Sequence, residues 1–445
     1  MSRVREFFAD ISLPTPWPRG RRAAWWFVAI AVLGSVLLLV PRVHGWTGYY
    51  LFAEDGQVFL TEYLKSGFGT LFTTYAGYLH LVPRAITAGC ASLAGPDAFA
   101  MCIDGGSVLV KVAVMAVAFP VMTAYAKSWR WGLAAASMVL LLPVGQQEVL
   151  GNLTNLRWFL LFGAFCAVIG LFRGAPGALF AALLALVAAL SDPMPMLLAP
   201  IALWRLIAAR GWARLPGAAL LIGSAIHLLF IDPSQRDQRG GLSDLVEVPS
   251  QTIAQVLVRG PLVNQLGMTW TQDLLRLLGV PLAVGTLILT LVLVVVAWRA
   301  RTPRDPAFPF ATVLAVLGCG FLLVTLSFPA TYIALADIWS PSQPARYSVL
   351  TGLFLAPATV LLISRAWARA GFSRFWAGLM IAVLSFAYIG DFGGDARHSS
   401  GNSWPRSLEL ARSECQGGAT EAVVVTNPDY EGWRTTLDCG WLGVR

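Results

Sequence analysis

Long apolar runs separated by short polar punctuation fill most of the chain. They fall at about 23–41, 106–126, 132–146, 156–172, 175–191, 195–209, 215–231, 279–297, 309–329, 347–364 and 375–390. A perpendicular transmembrane helix needs roughly 20 residues, so the shorter runs require tilt or polar flanks to cross. The pattern predicts an all-α polytopic membrane protein with about 11 transmembrane helices, since only helices and closed barrels satisfy their backbone in lipid. The run at 79–95 carries Pro83, Arg84 and two glycines and reads instead as an interfacial helix. Tyr49–Gly69 reads as a loop and then a helix, with Phe52, Phe59, Tyr63 and Leu64 as its apolar stripe, lying in the membrane interface.

The polar punctuation divides the chain. Residues 1–22 form an N-terminal tail and 23–390 a membrane domain with long outer loops at about 42–105, 232–278 and 330–346. Residues 391–445 form a C-terminal tail. In the second loop, Asp232–Asp244 is polar and Gln251–Leu278 has the pattern of amphipathic helices. The third contains Ser340-Pro341-Ser342-Gln343-Pro344. The tail holds a strand-like run at Ala422–Thr426 and turn signals at Asn427-Pro428 and Glu431-Gly432. There is no internal repeat, heptad pattern or low-complexity tract.

Composition supports a lipid environment. The chain is 57% hydrophobic and only 13% charged, against about 25% charged in soluble domains. The first run is not a cleaved signal, because similar runs follow it and no small-residue cleavage site does. The net charge of +8 suggests nucleic acid until its distribution is considered. With the N-terminus inside and alternating spans, more than half of the 32 Lys and Arg fall in short cytoplasmic segments, from Arg3 and Arg22 through Lys127, Arg205 and Arg299 to Arg374. Only Glu6, Asp10 and Asp305 share those segments. This is the positive-inside pattern, and one wrong helix would destroy it. It places the C-terminal tail outside the cytoplasm.

The cysteines agree. Cys90, Cys102, Cys166 and Cys319 lie in or beside apolar runs and read as small core residues. Cys415 and Cys439 lie in the tail, where an oxidising compartment favours a disulfide. It would close a loop of about 25 residues and contribute roughly 3 kcal/mol in the chain-entropy model.

Chemistry-bearing residues gather at the outer ends. Glu54-Asp55 follows the first span, and paired carboxylates beside a membrane must be solvated or partnered. Either can act as a general base; the plainer role is a solvated loop with Asp55 as a helix N-cap. Tyr75, Tyr78, His80 and Arg84 lie within ten residues. Tyrosines are often only belt residues, but Arg84 adds a fork suited to phosphate. Lys111 sits inside a span about one turn below its outer end, with Asp104 nearby as a possible ion-pair partner. Gln146 to Arg157, including Asn152 and Asn155, packs many polar groups into one connection, the mark of a cavity wall. Asn152-Leu153-Thr154 also matches a glycosylation acceptor, a weak pattern. Asp192, flanked by Pro193 and Pro195, reads as a turn residue. Arg346-Tyr347 begins the tenth span, where a cation opposes the helix macrodipole. No Walker loop, HExxH, CxxC or serine nucleophile elbow is present, and His44, His227 and His398 are scattered.

The acidic pair in the first outer loop, the interfacial helix behind it, the many spans and the basic outer cavity together resemble the GT-C superfamily of membrane glycosyltransferases. The segments Ala53-Glu54-Asp55-Gly56, Tyr75–Arg84 and Gly151-Asn152-Leu153-Thr154-Asn155-Leu156-Arg157 look like bacterial members. The resemblance implies Asp55 as catalytic base with Glu54 as its neighbour or second carboxylate. It makes Arg84, Lys111, Arg157 and Arg346 candidates for the phosphate of a polyprenyl-phosphate sugar donor, with Tyr75, Tyr78, His80, Asn152, Asn155 and Tyr347 around the substrate. The acceptor would be a cell-envelope glycan or glycolipid, and one base without a covalent nucleophile implies inversion. The small tail departs from members with large outer sugar-binding domains. No cofactor is expected; two acids without further oxygen ligands are a sparse set for a divalent cation. The competing expectations are a transporter or flippase of a lipid-linked saccharide, which needs access from both faces, and a non-catalytic assembly subunit.

Overall fold

The computed structural model describes residues 21–39, 50–142, 149, 151–172, 174–235, 269–302, 305–327, 346–392, 401–427 and 432–444. Each apolar run is mainly helical where it is described. In order these are α1 (Arg21–Leu39), α4 (Gly95–Ala126), α5 (Trp129–Leu141), α6 (Leu156–Ile169), α7 (Ala175–Ala189), α8 (Ala199–Ala208), α9 (Leu215–Leu228), α10 (Thr269–Ala300), α11 (Ala307–Ser327), α12 (Arg346–Trp367) and α13 (Phe372–Phe392). Between α1 and α4 lie α2 (Thr61–Ser66), the two-residue strands β1 (Thr74–Tyr75) and β2 (Tyr78–Leu79), and α3 (Leu81–Leu93). After α13 come α14 (Trp404–Gln416) and the antiparallel strands β3 (Glu421–Val425) and β4 (Arg434–Asp438).

Among the described residues, three helices are long and apolar enough to cross a membrane: Gly95–Ala126, Ala307–Thr325 and Val349–Trp367. Shorter apolar helices include Leu156–Ile169 and Ala175–Ala189. Their outward positions are apolar as well: Leu109, Leu183, Ile222, Val316 and Phe386 are all exposed. An apolar exterior of this kind suits acyl chains, not water. The interior is tightly stacked. Phe354 of α12 meets Phe162 and Phe165 of α6 at centroid distances of 5.1 and 5.2 Å. Tyr125 of α4 stacks on Phe310 of α11.

Polar contacts gather at two ends of the helices. Arg365 pairs with Asp305 at 3.3 Å and donates to the Tyr125 and Ala126 carbonyls. Arg205 donates to the Val168 and Ile169 carbonyls. All of these residues belong to one predicted side. At the opposite end the connections before α3, after α5, after α7 and after α9 interlock. Leu81 N–H reaches Leu190 O, Val82 N–H reaches Ser191 Oγ, and Asp232 N–H reaches Gly77 O.

Four expectations change. Cys90 and Cys102 are not separate core residues but a disulfide. They meet because α3 and α4 form an antiparallel pair, folded back at Gly95 (φ +70°) and packed through Ile86 and Gly106. Phe52 and Phe59 face protein, not the interface; each is at most 5% exposed. Phe68 and Phe72 are the exposed apolar side chains of that region. The stretch from Thr269 continues unbroken into α10, so the helical part of the second loop is the start of a span-length helix. The rest of that loop and nearly all of the third lie outside the described residues. Finally, the tail is not a separate unit. It carries the Cys415–Cys439 disulfide, but its Trp404, Leu408, Val424 and Leu437 share one core with Leu51, Leu60, Phe99 and Leu153.

Candidate functional site

The first outer connection is built around Asp55. After Ala53, which has φ +35°, the chain enters a wide π turn, Asp55–Leu60, that runs into α2. The turn buries the Asp55 side chain to 1% exposure. One carboxylate oxygen accepts the Leu153 N–H at 2.9 Å. The other accepts the Thr154 N–H and Thr154 Oγ–H, both at 3.3 Å. Asp55 is therefore not a solvated N-cap. The donors come from the turn before α6, where Gly151 has φ +72° and Asn152 Oδ1 accepts the Asn155 N–H at 2.8 Å. Burial pushes the Asp55 carboxyl well above its ordinary value; the Leu153 amide pulls it down, the Glu54 charge raises it, and the two Thr154 donors lower it. Ionised, it is a stronger base than a surface aspartate.

One turn along, Phe59 joins Asp55 to a cationic group. Its ring lies 5.4 Å from the Arg84 guanidinium, 5.7 Å from the His80 ring and 6.1 Å from Tyr75. Arg84 is buried and donates through Nη1 to Glu62 at 2.7 Å. Its Nε and Nη2 atoms are buried with no protein partner. These two form the side-on edge of the guanidinium, which matches two oxygens of a phosphate or carboxylate. His80 stacks on Tyr78 at 4.3 Å, places Nδ1 3.2 Å from the Tyr78 carbonyl and leaves Nε2 buried without a partner. Burial, then the Arg157 charge, depress its pKa well below the ordinary value; the Tyr78 carbonyl opposes, and Arg84 and His227 add to the depression. The imidazole is therefore neutral, and one nitrogen is available to a ligand.

Arg157, at the start of α6, donates to the Tyr78 hydroxyl and lies 3.7 Å from Asp192. Asp192 also caps the following turn through the Met194 N–H at 2.7 Å, so its role exceeds that of a turn residue. Lys111 is buried, donates to the Val149 carbonyl at 2.9 Å and lies 4.9 Å from the Phe159 ring. That contact ties it to the same α5–α6 connection that holds Asp55.

The structure thus gathers Asp55, Asn152 and Asn155 in one cradle and Tyr75, Tyr78, His80, Arg84 and Arg157 in an adjoining layer. Lys111 sits at the back of the cradle. Glu54 is half-buried beside it. Arg346 and Tyr347 open α12, but their side chains lie outside the described residues, as do His44, His398 and Gln146–Glu148. Sequence reading missed Thr154 as a ligand of Asp55, Glu62 as the partner of Arg84 and His227 as a neighbour of Tyr78 at 6.2 Å. Glu62 alone had a signal, lying on the same short helix as the predicted stripe. Among the described residues, no three of His, Cys, Asp and Glu converge on a metal site. The chain matches no protein-family model, and comparison with curated proteins finds no relative.

Proposed function

We propose that the chain is an inverting membrane glycosyltransferase with eleven spans. It moves a sugar from a polyprenyl-phosphate donor to a cell-envelope glycan or glycolipid on the outer face, with the tail extracytoplasmic. One observation carries the reading: a buried carboxylate, Asp55, is followed one turn along by Phe59, whose ring lies 5.4 Å from a buried guanidinium with an unpartnered two-donor edge. The isoprenoid tail stays in lipid and its phosphate sits at the helix ends. Asp55 takes the proton of the acceptor hydroxyl as that oxygen attacks C1. The C1–O bond to phosphate breaks, and its electron pair leaves on the polyprenyl phosphate. Arg84 receives two phosphate oxygens, and Arg157 and Lys111 add positive potential beside the departing charge. His80 Nε2 and Asn152 Nδ2 offer the buried polar contacts a sugar needs.

A carrier must open to both sides. Here the polar groups of the site lie at one end, and the other is fastened by Arg205 and Arg365 to backbone carbonyls and Asp305. That distribution favours an enzyme open on one face. The test is transfer of radiolabelled sugar from a polyprenyl-phosphate donor by the purified chain in nanodiscs. Binding without transfer across a panel of pentosyl and hexosyl donors would reject the enzymatic reading.

A further inference from the structure

The most constrained contact of the site is made by a part of the chain that supplies none of its reacting groups. Asn427, just after β3, brackets the segment before Asp55 with two backbone hydrogen bonds. Its N–H donates to Leu51 O at 3.0 Å, and its carbonyl accepts the Ala53 N–H at 2.6 Å. Between those bonds Ala53 holds φ +35°, a conformation that costs an alanine energy and persists only where the surroundings impose it. The Asn427 side chain is buried and donates to Asn402 O at 3.2 Å. On the other strand, Arg434 N–H donates to Gln57 Oε1 at 2.9 Å and Thr436 N–H to Thr61 Oγ1 at 3.1 Å. Thr435, between them, is fully buried. A Cβ on Gly56 would land on Thr435 Oγ1, and would come within 2.9 Å of Leu51 Cδ2 and 3.1 Å of Thr426 Cγ2. The residue after Asp55 is therefore a glycine because the hairpin presses on the loop there.

We propose that the C-terminal hairpin is a working part of the site, in which Asn427 and Thr436 act as positioning residues that hold Leu51–Thr61 in the strained turn aiming Asp55 at Leu153 and Thr154, while Thr435 only fills the space against Gly56. The role rests on the glycosyltransferase reading only for its catalytic consequence; the clamp itself does not. The hairpin reaches Asp55 through backbone bonds, so its grip depends on the fold of the tail. The Cys415–Cys439 disulfide closes that fold from the end of α14 to the end of β4. The tail is thus a bracket, and its small size suits holding a loop rather than binding a long glycan.

The experiment compares Gly56→Ala, Thr435→Ala and the double variant with wild type, as full-length protein in nanodiscs. Two readouts need no substrate: amide exchange of residues 51–61, and carbodiimide modification of Asp55 read by mass spectrometry. Gly56→Ala is expected to raise both about tenfold, the scale of an overpacked contact, while exchange in α6 and α12 stays at wild-type values. Thr435→Ala alone is expected to be silent, because its hydroxyl has no protein partner. Removing that hydroxyl is expected to restore Gly56→Ala. If Gly56→Ala does not fold, Gln57→Leu, which loses only the bond from Arg434 N–H, must loosen residues 51–61 in the same direction. Wild-type exchange and Asp55 reactivity in both variants would overturn the clamp, as would failure of Thr435→Ala to restore Gly56→Ala. Sugar transfer separates the two claims. A lower kcat at unchanged donor KM in the loosened Gly56→Ala, restored in the double variant, is the expected result. Unchanged kcat in a loosened variant would overturn the positioning role. No transfer by wild type would remove the glycosyltransferase reading and leave the clamp standing.

Discussion

The carboxylate of Asp55 receives the backbone N–H of Leu153 at 2.9 Å across 98 positions of sequence. That bond fixes where the first outer connection sits relative to the turn before α6. It also makes the buried charge tolerable, because an ionised carboxylate away from water needs donors on both oxygens. Two of the three donors are main-chain, so mutation can remove only the Thr154 hydroxyl. The donors offset burial without cancelling it, and the carboxyl stays well above its ordinary value.

The first prediction concerns Asp55→Asn. Loss of a general base is expected to cut transfer by about 10²–10⁴-fold. The same change sets an amide NH2 against a backbone donor, so the variant is expected to melt below wild type at low pH, with the gap narrowing as pH rises. The folded state holds the Asp55 proton more tightly than the unfolded chain does. Its contribution is therefore full below the unfolded pKa and is lost as pH rises through the raised folded value. Above that value wild type carries a buried charge that asparagine lacks. Melting curves of both proteins between pH 5 and 9 check this; a gap that does not narrow as pH rises would contradict the assigned electrostatics.

Thr154→Val is expected to leave the fold and both backbone donors in place while removing the hydroxyl that stabilises the Asp55 charge. The Asp55 pKa then rises further. The acidic limb of the pH–rate profile should move to higher pH, with rates converging on wild type at the alkaline end. An unchanged limb would mean that Thr154 does not set the ionisation of the base.

How much of this was legible in the sequence depends on the kind of contact. The apolar runs announced α1 and α4 to α13, because lipid and core both demand long apolar stretches. Arg365 and Asp305 were assigned to one side by charge bias alone and meet there. Leu153 and the Thr154 amide had no signal, since every non-proline residue has an N–H and only the tertiary fold chooses which ones point at Asp55. Cys90 and Cys102 looked like core residues because a disulfide between packed helices has the same apolar flanks as a buried thiol. Asn427 and Thr435 were hidden for a third reason. Their effect on residues 51–56 appears only once the two ends of the chain are brought together.

Arg84 gives the third prediction. Its unpartnered edge offers two donors to one anion, and a lysine at the same place offers a point charge without that geometry. Arg84→Lys is therefore expected to raise the donor KM about tenfold, and Arg84→Gln about a hundredfold, the range of one or two hydrogen bonds to a charged group. Glu62→Gln, which keeps the hydrogen-bonding shape but removes the negative charge beside Arg84, should tighten donor binding or leave it unchanged. Equal donor KM values for wild type and Arg84→Gln would remove Arg84 from the phosphate site.

The last prediction concerns orientation. Both disulfides, Cys90–Cys102 and Cys415–Cys439, contribute to one shared core, and that core lies at the same end as Asp55. Disulfides persist in oxidising compartments, while the opposite end carries Arg205, Arg210, Arg214 and Arg365, the bias expected of a cytoplasmic face. Two independent chemistries thus predict a site that faces outward. The exposed positions Ser413, in α14, and Arg210, after α8, provide the probes. In intact cells a membrane-impermeant maleimide should label Ser413→Cys at once and Arg210→Cys only after permeabilisation. Cys166 is buried, and the half-buried free thiol of Cys319 is removed from both variants by Cys319→Ala. Labelling in the reverse order would put Asp55 in the cytoplasm, where the polyprenyl-phosphate reading fails, even though every contact within the site would remain as described.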